Sequence, residues 1–99
     1  MRIISKSKLR EFWKKHPEAE TALMEWYRIA SKAVWKNFID IRATFRHVDV
    51  YCDCTIFDIK GNDFRLIVIP LYQVQRVYVR YVLSHKEYDG GKWKNDCNC

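Results

Sequence analysis

The stretch TIFDIKGNDFRLIVI, residues 55–69, decides the fold because it joins two strand patterns through a turn. Residues 55–59 and 64–69 are rich in β-branched and aromatic side chains, which favour strands. Between them, KGND at 60–63 supplies glycine and asparagine, which tolerate positive φ. The stretch therefore predicts an antiparallel β-hairpin.

The second strand of this hairpin is apolar on both faces, which is typical of a central strand covered on both sides. Pro70 cannot donate to a strand ladder, so we expect the strand to end or become irregular there. Arg65 interrupts the apolar run near its start, where an unpaired charge would be costly. A structural arginine paired with Asp63 or Asp89 is one interpretation, and a functional cation is the other.

A last strand is predicted over 76–84, joined to the central strand by residues 72–75. This short connection implies that paired residues have numbers summing to about 148, so Arg65 lies opposite residues near Leu83. An odd sum would place Arg65 on the face of Arg80, Val82 and Ser84, and an even sum would not. In either register, the sheet end that holds Arg65 is the end from which His85 and Tyr88 emerge.

The N-terminal half has helical rather than strand spacing. Apolar residues in 6–15 form one stripe, and His16-Pro17 ends that helix because proline disfavours helical geometry in the residue before it. A second helix continues from Pro17 to about Val34, and a third, shorter one lies within 35–45. After it, residues 48–52 alternate as a strand, and residues 1–4 can add a strand to the sheet edge. The predicted fold class is α+β, a small antiparallel sheet with an N-terminal helical hairpin packed on one face.

Length and charge limit the function classes. The 99 residues predict a single domain, with 95–99 as a flexible tail. The start of the chain has no signal-peptide pattern and no apolar run approaches a membrane span of about 20 residues, so we expect a cytoplasmic protein. The net charge of +6 comes from residues 1–48, with 11 Lys/Arg against 5 Asp/Glu, whereas 49–99 hold 7 of each. This excess suggests a polyanionic partner such as nucleic acid.

The four cysteines form two C-x-C pairs, at 52/54 and 97/99. A disulfide framework is not expected in a cytoplasmic protein. Four thiolates could hold zinc, but zinc sites more often have spacers of two to four residues. We therefore expect free thiols, no metal and no cofactor.

Residues 85–94, HKEYDGGKWK, concentrate titratable groups directly after the last strand. His85 and Tyr88 are three residues apart, so one helical turn would place them on one side. Histidine exchanges protons near neutral pH, whereas tyrosine does so only if nearby cations lower its pKa. Lys92-Trp93-Lys94 could bind single-stranded nucleic acid, with a base stacked on the indole, or could be a tail whose tryptophan packs on the core.

The sequence resembles the HigB toxins of bacterial type II toxin–antitoxin systems across nearly its whole length. The resemblance is carried by the following segments: LREFW at 9–13, His16-Pro17, Trp26-Tyr27, WKNF at 35–38, FDI at 57–59, GNDFRLI at 61–67, HKEYD at 85–89 and GKWK at 91–94. It implies a RelE-like fold and ribosome-dependent cleavage of messenger RNA without a metal, by attack of the RNA's own 2′-hydroxyl. It also implies inhibition by a HigA-type helix-turn-helix antitoxin, through which operator DNA would be contacted only indirectly.

The resemblance implies roles for specific residues. Arg65 would stabilise the phosphate, His85 or Tyr88 would transfer protons, and Lys92 would be a second cation. We expect further RNA contacts from Lys60, Arg80, Lys86, Trp93 and Lys94. Some relatives carry a lysine near 52–54, where this chain has Asp53 between two cysteines, and the resemblance does not explain the Cys97-Asn98-Cys99 tail.

A second interpretation belongs to a different class of protein. The chain could be a non-catalytic module that binds nucleic acid or a partner and acts mainly in a repressor complex with its antitoxin. Such a module would bind RNA with strong salt dependence and would not cleave it.

Overall fold

The computed structural model describes residues 1–99 and is built around one five-stranded sheet. The spatial order of the strands is β1-β5-β4-β3-β2. Their bounds are β1 Arg2–Ile4, β2 Val48–Tyr51, β3 Cys54–Ile59, β4 Phe64–Leu71 and β5 Arg76–Ser84. The predicted hairpin is therefore β3–β4, and β4 is the central strand, as its apolar faces indicated.

Three helices precede β2 and one follows β5. They are α1 Lys6–Lys15, α2 Glu20–Lys32, α3 Phe38–Thr44 and α4 His85–Gly90. A 3-10 turn, Pro17–Ala19, links α1 to α2, because Pro17 ends one helix and begins the next segment. No helix is both long and apolar enough to cross a membrane.

The helical hairpin α1–α2 packs on one face of the sheet and forms the main core. Leu9 of α1 and Leu23 of α2 are fully buried, and the Trp26 ring meets Phe57 of β3 edge-on at 5.4 Å between centroids. Burial of large apolar side chains of this kind stabilises a fold by about 1.5–3 kcal/mol per side chain. The predicted α+β class with a helical hairpin on one face is confirmed.

The opposite face of the sheet has its own smaller core. Cys54, Ile56, Ile67 and Trp93 are buried together there, with Tyr81, Leu83, Tyr88 and Cys97 packed against them. The covering element is the C-terminal segment, which consists of α4 and a 3-10 helix, Lys92–Asp96. Because side chains alternate along a strand, Arg65 shares this face with Ile67.

The pairing of β4 with β5 has the predicted register around Arg65. Arg65 pairs with Leu83, a sum of 148, so the even alternative is correct. The register shifts between Ile67, which pairs with Tyr81, and Val68, which pairs with Val79. Arg80 is thus the extra residue of a β-bulge, which re-aims its side chain relative to the ladder.

Several expectations about the sheet and the tail were wrong. β1 pairs with β5 in parallel, so the sheet is not wholly antiparallel. β4 continues through Pro70 to Leu71, which pairs with Arg76. Residues 95–99 are not a free tail, because the Asp53 amide donates to the Asn98 carbonyl at 3.1 Å and the Asn98 amide donates to Asp53 Oδ1 at 2.9 Å.

The expectation of free thiols was also wrong. The structure contains two disulfides, Cys52–Cys99 and Cys54–Cys97, and no free cysteine. The hydrogen bonds between Asp53 and Asn98 align the two C-x-C segments antiparallel, with each cysteine facing one of the other pair. The redox state of a cellular compartment does not determine whether two C-x-C segments lie side by side in a fold.

Candidate functional site at the end of the central strands

The site begins where β5 passes directly into α4. The Ser84 hydroxyl accepts a hydrogen bond from the Glu87 amide at 3.2 Å, and the Glu87 carboxylate accepts one from the Ser84 amide at 3.0 Å. This reciprocal capping box satisfies two amides that the first helical turn leaves without partners. The His85 amide also donates to the Asp63 carbonyl at 3.1 Å, which ties α4 to the β3–β4 turn.

Arg65 lies at this end of the sheet and is buried, with 8% of its surface exposed. Its Nε lies 3.2 Å from Asp58 Oδ1, and Nη1 donates to the carbonyls of Asn62 and Phe64 at 3.0 and 3.2 Å. Nη2 donates to the Asn62 side-chain oxygen. A guanidinium has five N–H groups, so Nη2 retains one N–H without a protein acceptor. The carboxylate partner is Asp58, not Asp63 or Asp89 as suggested from the sequence.

Tyr88 packs directly against this guanidinium. The Arg65 guanidinium carbon is 5.1 Å from the Tyr88 ring centroid, a cation–π contact, and the other partner of the ring is Trp93, stacked at 5.2 Å. Burial has the largest effect on the pKa of Tyr88 and raises it. The carboxylate of Asp49 raises this pKa further, and Asp58 and Asp89 act in the same direction, whereas Arg65 lowers it. The condition set for proton exchange by this tyrosine, a pKa lowered by nearby cations, is not met, because burial and the carboxylates outweigh the effect of Arg65. The phenol is therefore neutral at physiological pH.

His85 occupies the first position of α4, one helical turn before Tyr88. Its Nε2 lies 3.2 Å from Asp89 Oδ2, and about half of its side chain is exposed. The imidazole is therefore accessible to solvent and carries a carboxylate partner that can orient it.

Lys86 and Lys92 lie at a cavity that is separate from the Arg65–Tyr88 contact. They line a cavity of about 570 Å³, together with Glu87, Gly90 and three residues of the sheet face and tail: Tyr81, Leu83 and Trp93. Neither Arg65 nor Tyr88 lines this cavity. The structure therefore places Arg65 beside Tyr88, and Lys86 and Lys92 on the same cavity. Trp93 belongs to both places, because its ring stacks on Tyr88 and also lines the cavity.

Trp93 is a core residue rather than an exposed stacking platform. Only 4% of its surface is exposed, and its Nε1 donates to the Tyr88 carbonyl at 3.0 Å. Of the two alternatives left open for Trp93, the structure agrees with the tryptophan that packs on the core, because this ring covers the apolar face of Ile56 and Ile67. Lys94 remains exposed, with Nζ 5.2 Å from the Tyr51 ring centroid.

Lys60 and Arg80, the other expected RNA contacts, lie apart from one another. Lys60 is in the β3–β4 turn with Nζ 3.6 Å from Asp63 Oδ2, and both side chains are largely exposed. Arg80 approaches Asp96 at 3.9 Å and borders a second cavity, of about 280 Å³, beside Lys8 and Lys15 of α1.

Sequence reasoning missed the residues that hold Arg65. Asp58 is the direct cross-strand partner of Arg65 in the β3–β4 ladder. That pairing follows from the predicted turn at 60–63, so the signal was present in the sequence. Asn62 was seen only as a turn former, and nothing in the pattern indicated that its side chain would reach Arg65.

A metal-ligand arrangement is limited to one cluster. The ligand atoms of Asp53, Cys54 and Cys97 lie within 4.8 Å of one another, but both sulfurs are in a disulfide and therefore are not available as thiolates.

Comparison with known proteins identifies the family of this chain. Residues 19–91 match the family described as HigB_toxin, RelE-like toxic component of a toxin–antitoxin system. The chain belongs to the HigB toxin family. It is 29% identical over 92 residues to the "mRNA interferase toxin HigB" of Escherichia coli (strain K12), covering 90% of this chain and 88% of that protein. The "mRNA interferase HigB" of Shigella flexneri has the same identity and coverage.

The family match extends over most of the site. Arg65, His85 and Tyr88 lie inside the matched residues, whereas Lys92 and the tail that carries Cys97 and Cys99 lie just beyond them. The resemblance to HigB toxins drawn from the sequence is therefore confirmed, and the tail is a feature that the matched region does not include.

Proposed function

We propose that this HigB-family toxin is an mRNA endoribonuclease that cleaves messages on the ribosome and so inhibits translation. The relatives named mRNA interferase support the reaction class. The observation that carries the site is the contact between the Arg65 guanidinium and the Tyr88 ring at the sheet end, one helical turn from His85. A cation beside two groups that can exchange protons suits phosphodiester cleavage.

The proposed reaction uses the RNA's own nucleophile. The 2′-hydroxyl oxygen bonds to the adjacent phosphorus while the bond from phosphorus to the 5′-oxygen breaks, leaving a cyclic phosphate and a free 5′-hydroxyl. One group accepts the proton of the 2′-hydroxyl, and another gives a proton to the departing 5′-oxygen.

Tyr88 is better suited to the acid role than to the base role. Its raised pKa keeps the phenol protonated at neutral pH, so it can donate a proton to the leaving oxygen. His85, exposed and paired with Asp89, is the better candidate for the base, since histidine is the side chain that most often transfers protons in catalysis.

Arg65 would stabilise the negative charge that develops on the phosphate. Asp58 and Asn62 hold the guanidinium in place before RNA arrives, and the unpartnered N–H of Nη2 can donate to a phosphate oxygen. A group fixed in advance needs little reorganisation when the charge develops, which favours the transition state.

The surrounding cations would hold the RNA backbone. Lys92 is proposed as a second cation near the reacting phosphate, and Lys60, Arg80, Lys86 and Lys94 as contacts along the strand. The N-terminal half, residues 1–48, carries the whole net charge of +6, and its basic helical surface would face ribosomal RNA.

The proposed partners follow from the toxin–antitoxin family. An antitoxin of the HigA helix-turn-helix type would inhibit the protein and would be the component that contacts operator DNA. The ribosome and mRNA would be the targets, in the cytoplasm, with no role for a membrane.

The test is to map the 5′ ends of translated messages after brief induction. We expect discrete new ends in cells that produce the wild-type chain and none in cells that produce Arg65→Ala at equal protein level. Unchanged transcripts together with reduced translation would contradict the nuclease.

A second candidate function is favoured by one observation: internal partners engage all but one of the N–H groups of Arg65. A guanidinium engaged by Asp58, Asn62 and Phe64 has a structural role that would also exist in a non-catalytic binding module. That module would bind RNA with equal affinity in the wild type and Tyr88→Phe, without cleavage in either.

A further inference from the structure

We propose that the four cysteines form a redox clamp that orders the C-terminal segment, so that the oxidised protein holds the Arg65–Tyr88 contact more firmly than the reduced protein. The clamp consists of Cys52–Cys99 and Cys54–Cys97, which join the turn before β3 and the first residue of β3 to the last three residues. The disulfides link residues 47 and 43 positions apart, so each closes a long loop and constrains the unfolded chain strongly.

The two disulfides differ in accessibility. Cys54 is completely buried in the second core, where Cys97 packs beside it. Cys99 is exposed and Cys52 is half-buried. A dissolved thiol reagent therefore reaches the outer bond, Cys52–Cys99, before the inner one, because exchange requires access to a sulfur atom.

The reaction at each bond is a two-electron exchange with a dithiol. A reductant thiolate attacks one protein sulfur and forms a mixed disulfide, and its second thiolate then releases that sulfur. The protein S–S bond breaks, an S–S bond forms in the reductant, and two electrons and two protons pass to the two cysteines. A small-molecule disulfide such as oxidised glutathione reverses the exchange.

A short chain of contacts connects the clamp to the site. Cys97 follows the 3-10 helix that carries Trp93, and the Trp93 ring stacks on Tyr88, whose other neighbour is the Arg65 guanidinium. Trp93 Nε1 also holds the Tyr88 carbonyl. Without the disulfides, residues 95–99 keep non-covalent contacts: the hydrogen bonds between Asp53 and Asn98, which are exposed to water, the hydrogen bond from the Tyr81 hydroxyl to Asp96, and the Arg80–Asp96 pair. Segments held in this way open more readily than covalently closed ones.

The first experiment uses no RNA, so it is independent of the proposed nuclease. Hydrogen exchange of the full-length protein is compared with and without a dithiol, beside a Cys52→Ser/Cys99→Ser variant and a variant with all four cysteines replaced by serine. We expect reduction to speed exchange in peptides covering 88–99 about tenfold or more, and to leave peptides of α2 unchanged. The variant without the outer pair should be intermediate and should still respond to dithiol, whereas the four-serine variant should not respond.

A second readout follows the site itself. The side-chain Nε–Hε resonance of Arg65, assigned by comparison with Arg65→Lys, is sensitive to the Tyr88 ring and should shift on reduction in the wild type. The four-serine variant should show the reduced position with or without dithiol. A third measurement, of activity, rests on the proposed function. The rate at which the protein cleaves a translated message should fall several-fold when the disulfides are reduced.

Three outcomes would overturn the clamp. The first is that four titratable thiols remain in the protein after exposure to oxidised glutathione. The second is that hydrogen exchange in 88–99 does not change when all four thiols are free. The third is that the reduced protein binds Zn²⁺ and residues 88–99 stay protected from hydrogen exchange. Slower exchange in the oxidised form, with no cleavage in either redox state, would support the clamp and count against the nuclease.

Discussion

At the scale of single residues, the site depends on how Arg65 is neutralised. A buried guanidinium without a carboxylate would be strongly destabilising, and here Asp58 supplies that charge from the adjacent strand. The sequence marked Arg65 as unusual, because a charge in a central apolar strand needs a partner. It did not identify the partner, since Asp63 and Asp89 are equally close to the predicted sheet end.

The Asp58–Arg65 pair gives the first prediction. Asp58→Ala should lower the free energy of unfolding by about 2 kcal/mol or more, because it leaves a buried cation without its carboxylate. Urea denaturation measures this change. Asp63→Ala is the matched control: its pair with Lys60 is exposed, and we expect a loss of less than about 1 kcal/mol. Equal losses in the two variants would contradict a special role for Asp58.

Tyr88 gives a prediction about alkaline pH. Its pKa in the folded protein is raised, so the folded state holds the phenolic proton more tightly than the unfolded chain does. The resulting stability is complete below the pKa of an unfolded tyrosine, about 10, and is lost as pH rises through the folded pKa. Unfolding measured between about pH 9 and 11 should show a steeper loss for the wild type than for Tyr88→Phe. Tyr72 and Tyr81, whose pKa values are also raised, contribute to both proteins and cancel in the difference. Identical slopes would show that Tyr88 titrates normally.

At the scale of elements, α4 is held by its first turn. The helix has only 6 residues, so it depends on the capping box and on packing rather than on intrinsic propensity. It begins at His85, and its fourth residue, Tyr88, therefore returns to the sheet face that carries Arg65. The spacing of these two side chains was predictable, but the stacking of Tyr88 on Trp93 was not.

Ser84→Ala tests this element. Removal of the cap should lower the free energy of unfolding by about 1 kcal/mol and speed hydrogen exchange in α4. Ser5→Ala is the control, because Ser5 stands before α1 and makes no capping hydrogen bond with its side chain. If the two variants behave alike, the capping box does not hold α4.

At the scale of the whole molecule, the sheet separates two cores with different origins. The face of the sheet covered by α1 and α2 was predictable. Both helices have a periodic apolar stripe, and the sheet is the surface on which those stripes can be buried. The cover of the second face was predicted only as one of two alternatives for Trp93, because it comes from the end of the chain, where disorder is usual. Trp93 packs on that face, and the two C-x-C segments join the C-terminal segment to it. Their contacts link residues far apart in sequence, which local sequence patterns do not predict.

Features of the fold that depend on neighbouring residues were therefore predictable, and those that depend on distant residues were not. The β3–β4 hairpin and the central strand follow from turn positions and alternation of side chains, and so does the approximate position of Arg65 opposite Leu83, whereas the choice between an odd and an even register came only from the structure. The parallel pairing of β1, the bulge at Arg80 and the disulfides involve residues far apart in sequence, or local irregularities in the ladder. The roles of Arg65, His85, Tyr88 and Lys92 in catalysis stay predictions.

The most direct measurement of the central claim is cleavage of a translated message on purified ribosomes by the wild type, Tyr88→Phe and Arg65→Lys. Circular dichroism and ribosome binding serve as controls for folding and for docking. The account predicts wild-type products with 5′-hydroxyl and cyclic phosphate ends, and a rate at least about a hundredfold lower in each variant. Cleavage at the wild-type rate by both variants would contradict a catalytic site at the Arg65–Tyr88 contact.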